Sequence, residues 1–174
     1  MIKRLAIAAF ALGFSGLVLA QGQAVREQLF GPTDALKNSA DAVHAKMLGP
    51  EAYEQAMELY KDAGDTLAKG KDINSVKEDL SKADGLFKKS TDSAKLAQVT
   101  FADTLTARSA AEKAEAAKYA AKDWGKGEGE LKDAAAKLED GNLNKAQKTA
   151  EDATKYYKSA EAKAVNEKAK AAHK

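Results

Sequence analysis

The chain repeats itself. Placing Tyr60-Lys61-Asp62-Ala63 over Leu131-Lys132-Asp133-Ala134 brings Leu67 onto Leu138 and Gly70 onto Gly141, all at an offset of 71 residues. One residue is then dropped in the turn. At an offset of 70, Ile73 meets Leu143, Val76 meets Ala146, Ala83 meets Ala153, Phe87 meets Tyr157 and Lys88 meets Lys158. A register held through a helix, a turn and a second helix identifies a tandem duplication. It limits the fold to what one copy can build and two copies can bury together.

Each copy reads as a helical hairpin. From Pro50, which suits a first helical turn, Tyr53, Ala56, Tyr60, Ala63 and Leu67 alternate steps of three and four, and their counterparts are Trp124, Gly127, Leu131, Ala134 and Leu138. Gly70 and Gly141 end these helices in tight turns, and Asp72 and Asn142 are N-caps for the return helices. The return seam runs Ile73, Val76, Leu80, Ala83, Phe87, Ser90, Ala94, Ala97 and Phe101, repeated as Leu143, Ala146, Ala150, Ala153, Tyr157, Ala160 and Ala164. A period of 3.5 sustained this long predicts coiled-coil-like packing, with small seam residues bringing helix axes close. Glu78 and Lys82, Asp84 and Lys88, Asp133 and Lys137, and Glu151 and Lys155 are acid-before-base pairs on the outer faces.

The expected layout is a signal peptide over 1–20, a short N-terminal segment over 21–32 closed by Gly31-Pro32, one repeat over 33–103 and a second over 104–174. Thr33 or Asp34 caps a helix carrying Leu36, Ala40, Val43 and Met47, which Gly49-Pro50 ends or kinks. Arg108 to Ala121 is the matching helix of the second copy, without that break. Val99 to Thr106 is rich in β-branched residues and is the weakest helical stretch. A bend near Asp103 folds the hairpins together. The fold predicted is all-α, with antiparallel alanine-rich hairpins in tandem forming a coiled-coil-like bundle; the alternative is an elongated rod of roughly 100 Å over 73–140 at 1.5 Å per residue. The tail after Ala164 frays.

Met1-Ile2-Lys3-Arg4 followed by the apolar run Leu5 to Leu19 has the form of a secretory signal, and the small residue Ala20 places cleavage between Ala20 and Gln21. The run is shorter than the roughly 20 residues a membrane span needs, so no stable insertion is expected after cleavage. The absence of cysteine at the cleavage site excludes a lipoprotein anchor there. With Lys3 and Arg4 gone, 26 basic residues face 26 acidic ones, so the formal charge of +2 belongs to the leader. A neutral, finely mixed surface argues against nucleic acid as a partner. For an exported chain, zero cysteines suits an oxidising compartment, where an unpaired thiol is a liability. Leu, Ile, Val and Phe make up only about 14% of the mature chain, but alanine supplies about a fifth and favours helix over disorder.

Little in the chain points to chemistry. His44 and His173 have no recognisable catalytic or metal-binding partner, and the carboxylates alternate with lysines along helix faces. No catalytic residue, metal ligand or cofactor is assigned. Gly125, Gly127 and Gly129 match no phosphate-binding loop; inside a helix they cost on the order of 3 kcal/mol relative to alanine, which predicts either a kink after Trp124 or a close approach by a helix or partner. Most aromatic residues fall on seams. Tyr156, beside the seam residue Tyr157, together with Tyr119 and Trp124, forms the candidate partner surface.

The aromatic, the alanine-rich hairpin with glycine at its tip, and the return helix carrying Ala153, Tyr157, Ala160, Glu161 and Ala164 resemble the alanine-rich helical-repeat domains of Gram-negative envelope proteins often found beside an OmpA-like peptidoglycan-binding domain. The resemblance covers most of Leu36 to Ala164, twice over. It implies a periplasmic protein with a structural or interaction role. Without an OmpA-like domain within these residues, peptidoglycan contact has no motif in its support. The leading expectation is a non-enzymatic scaffold or adaptor engaging an envelope protein or itself. A holdase-like or stress-protective protein is the alternative, with a small-ligand binder behind it.

Overall fold

The three-four spacing of apolar residues becomes helix throughout the computed structural model, which describes residues 14–172. The order is α1 (Phe14–Ala42), α2 (Ala45–Leu48), α3 (Pro50–Ala68), α4 (Ile73–Thr100), α5 (Ala102–Lys113), α6 (Ala116–Tyr119), α7 (Ala121–Glu139) and α8 (Leu143–Ala172), with no strand among the described residues. The fold is all-α. Both expected hairpins are present: α3 packs on α4 and α7 on α8, around turns in which Gly70 (φ 63°) and Gly141 (φ 77°) take the left-handed conformation that glycine adopts without a Cβ penalty. Asp72 caps α4 by accepting the Asn74 N–H at 3.1 Å. The seam residues are buried from Val76 to Phe101 and from Ala146 to Ala164; Ile73 and Leu143, at the helix starts, are exposed.

Each hairpin is completed by a third long helix. α1 lies against α4, and α5 against α8. Gln98 donates to the Val43 carbonyl at 3.1 Å, joining the C-terminal ends of α4 and α1. Tyr60 donates to Asp34 and Tyr53 to Asp41, both at 2.5 Å, so α1 runs antiparallel to α3 and parallel to α4. The same up-down-up order holds in the second repeat, where Thr104 bonds the Ala150 carbonyl at one end and Glu115 pairs with Lys168 at the other.

Two expectations are corrected, and a third, left between two outcomes, is decided. Gly31-Pro32 does not end a helix, because Pro32 lies inside α1. Pro32 is exposed, while its neighbours Phe30 and Thr33 are fully buried and hold the helix to its hairpin. Thr33 and Asp34 therefore cap nothing; Thr33 is core and Asp34 accepts from Tyr60. The second repeat does have the break it seemed to lack. His44 (φ 57°, ψ 37°) and Glu115 (φ 62°, ψ 36°) are both left-handed, and Gly49 (φ −148°, ψ 54°) and Ala120 (φ −140°, ψ 40°) share one non-helical geometry. Packing imposes the corner without help from Gly-Pro. Finally, α7 is unbroken across Gly125, Gly127 and Gly129. Gly127 is a close approach within the fold, whereas Gly125 and Gly129 face solvent and nothing in the structure explains them.

The two repeats meet at a bend. Phe101 (φ −111°, ψ 28°) separates α4 from α5, yet its N–H still bonds the Ala97 carbonyl and its carbonyl accepts from Leu105. Thr100 and Thr106 turn their hydroxyls back onto the carbonyls of Leu96 and Ala102, both at 2.9 Å, a contact that bends helices. The bend thus falls two residues before Asp103. The basic stretch Met1 to Arg4, most of the apolar run and His173 lie outside the described residues; α1 extends through Ala20 and Gln21. Among the described residues no helix is long and apolar enough to cross a membrane.

Candidate interaction site

The second repeat builds its polar cluster from a different carboxylate than the first, which uses Tyr53, Asp41 and Lys37. Tyr157 is fully buried on α8, and its hydroxyl donates to Glu128 Oε1 at 2.7 Å. Arg108 grips the same carboxylate with two hydrogen bonds, Nε to Oε1 at 2.7 Å and Nη2 to Oε2 at 3.1 Å, the fork geometry that makes guanidinium-carboxylate pairs strong and directional. The guanidinium carbon lies 5.2 Å from the Trp124 ring centre, and Trp124 meets Tyr157 edge-on with centroids 5.6 Å apart. Gly127 makes this arrangement fit. A Cβ there would stand 2.7 Å from Tyr157 Cε1 and 2.8 Å from Cδ1. Burial pushes the Tyr157 phenol far above its ordinary range, and the hydrogen bond to Glu128 adds to this. Burial alone would lower the Arg108 pKa, but Glu128 more than offsets it.

Arg108 and Glu128 of this cluster line a cleft of about 600 Å³ between the repeats. Met47 and Leu48 of α2 and Leu105 of α5 supply its apolar surface; Asp41, His44, Lys46, Arg108, Glu112, Glu128 and Lys132 supply charge and hydrogen bonding. α7 borders the cleft and packs on α2, α3 and α4. Glu139 caps α3 from across the junction, accepting from the backbone N–H groups of Glu51 at 2.8 Å and Ala52 at 3.4 Å, and Lys132 pairs with Glu54 at 2.5 Å. The Asp41 carboxyl would be raised by burial, but hydrogen bonds from Lys37 and Tyr53 bring it below its usual value. Such a wall can hold an extended or helical segment that offers both charge signs around an apolar residue. Among the described residues no group of three or more His, Asp or Glu side chains is placed to share a metal ion.

The candidate surface residues fall on three helices, α6, α7 and α8. Trp124 is half-buried between Arg108 and Tyr157 and belongs to the polar cluster. Tyr119 is half-buried on α6, with the Lys118 ammonium 4.7 Å from its ring centre. Tyr156 stands at the edge of the buried face, covered by Lys126 at 5.1 Å. Arg108 and Glu128 were not singled out by sequence spacing, since they are 20 residues apart on different helices and meet only through tertiary packing. A usable signal existed in the paired exchange of Ala56 for Gly127 and Phe87 for Tyr157 between copies.

No family model matches this chain, and no curated protein and no solved structure matches it.

Proposed function

We propose that this protein is a non-enzymatic helical scaffold or adaptor of the periplasm, exported by a cleaved signal, whose helical faces engage an envelope protein or a second copy of itself. The observation that carries this reading is the open cleft between the repeats, in which an apolar surface is bordered by Lys46, His44 and Glu112, all exposed on the α2 and α5 side. The half-buried charges nearby, Arg108 and Glu128, are committed to each other and to Tyr157, which favours a binding wall over a reactive centre. A photo-crosslinking residue at Lys46 tests it in living cells. The expected result is an adduct with an envelope protein or with this chain; recovery of free monomer alone overturns the reading.

One observation favours a holdase-like role as a second reading. Leu96 and Val99 are 54% and 79% exposed one turn apart at the bend, where a groove of about 670 Å³ opens between the α4–α5 joint and α8. Suppression of client aggregation that is lost in the Leu96→Ser, Val99→Ser variant supports this role; no suppression at molar excess removes it.

A further inference from the structure

The corner that receives the second repeat occurs twice, and only one copy is covered. α2 and α6 are entered through left-handed His44 and Glu115 and left through Gly49 and Ala120 with matching backbone angles. α7 packs over the first corner, where Leu48 is 2% exposed. The second corner carries Tyr119 at the position of Leu48, half-buried, and no further repeat among the described residues covers it. The complementary face is also unmatched. Ala135, beside the α7 seam, is fully buried; Gly64, its counterpart on α3, is half-buried, and a Cβ built there meets nothing within 4 Å.

We propose that a second copy of this chain docks its α3 face, around Gly64, onto the α6 corner, around Tyr119, as α7 docks onto α2 within one molecule. The proposal rests on the scaffold reading and makes the partner another copy. Volume changes in opposite directions on the two surfaces: tyrosine replaces leucine at the corner and glycine replaces alanine on the face, so the larger ring meets the smaller residue. Charge is complementary. Lys118 and Lys122 stand exposed at the corner and Asp62 and Asp65 stand exposed on α3, none of them in an ion pair among the described residues. Because the two surfaces differ, the contact is head to tail, and each added copy presents a fresh corner, giving an open chain and not a closed pair.

The chain has no cysteine, so introduced thiols report this contact without background. Purified full-chain Tyr119→Cys and Gly64→Cys variants, mixed with a short thiol-to-thiol crosslinker, are expected to give a linked dimer that neither variant gives alone. Sedimentation velocity of the unmodified protein is expected to show growth with concentration, which the exposed-surface variant Lys118→Glu, Lys122→Glu abolishes while its circular dichroism is unchanged. Monomer at every concentration, or crosslinking within the Tyr119→Cys variant alone, overturns the proposal. Neither result touches the scaffold reading, which stands or falls on the in-cell adduct at Lys46.

Discussion

Repeat 1 closes around Ala56 and Phe87; repeat 2 closes around Gly127 and Tyr157. In the first, Phe87 meets Tyr53 edge-on at 5.8 Å, and the phenol of Tyr53 reaches back to Asp41, which Lys37 holds at 2.7 Å. In the second, Trp124 replaces Tyr53 and has no hydroxyl to offer. The loss of one methyl at Gly127 lets the Tyr157 ring settle against α7, and its hydroxyl bonds Glu128 in turn. The cation comes from the same place each time, Lys37 on α1 and Arg108 on α5, but its principal carboxylate moves from its own helix to α7. The duplication preserved the backbone and relocated the polar cluster. That relocation puts a rigid charged wall on the inter-repeat cleft.

Alkaline pH stresses both versions most severely. Burial, reinforced by the hydrogen bond to Asp41, raises the Tyr53 phenol to about 12, and Tyr157 is raised further. A phenol raised in the folded state contributes stability that is intact below its unfolded pKa of about 10 and is lost as pH climbs through the folded value. Each tyrosine should cost about 1.4 kcal/mol per pH unit between its unfolded and folded values, so the pair should lose on the order of 5 kcal/mol by about pH 12. Urea midpoints measured from pH 9 upward check this, and Tyr157→Phe should make the decline shallower.

The two corners should differ next. A Cβ at Gly49 would lie 2.4 Å from the Ser90 backbone oxygen, so Gly49→Ala is expected to cost about 3 kcal/mol. Ala120→Gly, at the equivalent place, should cost only about 1 kcal/mol through chain entropy. Equal costs in urea unfolding would contradict the comparison. Arg108→Met, which strands the half-buried Glu128, should cost about 2 kcal/mol; Lys37→Met, whose partner is 41% exposed, should cost less than about 1 kcal/mol. Smallest of all, Lys132→Ala removes an exposed bridge to Glu54 and should shift stability by about 0.5 kcal/mol or less, while hydrogen exchange at the start of α3 quickens only when Glu139→Gln weakens the cap.

Much of the fold was legible because it is periodic. Val76, Ala83, Phe87, Ala94 and Ala97, and their counterparts from Ala146 to Ala164, were read as seam and are buried. Features without periodicity escaped. A left-handed residue at His44 or Glu115 has no glycine to announce it, and Ala120 takes the conformation of Gly49 because the packed helices require it. Pro32 marks a helix end in isolated sequence, but Phe30 and Thr33 anchor α1 on both sides of it. Pairs four apart were only partly informative: Glu78 does hold Lys82 and Asp133 does hold Lys137, whereas Lys155 turns to Asp152 instead of Glu151. Of the candidate site, sequence reasoning found the aromatic positions and missed the Arg108–Glu128 pair, which depends on how α5 crosses α7.

The exchange between Gly127 with Tyr157 and Ala56 with Phe87 is tested most directly by a double-mutant cycle read in urea unfolding. Gly127→Ala alone drives a methyl into the ring and should cost about 2 kcal/mol; Tyr157→Phe alone loses the bond to Glu128 and should cost about 1 kcal/mol. Together they restore the pair used by repeat 1, and the freed ring can withdraw to the position Phe87 occupies, so the combined cost should fall below the sum by about 1 kcal/mol or more. Strictly additive costs would mean that the two substitutions arose independently and that the second repeat is not a re-packed version of the first.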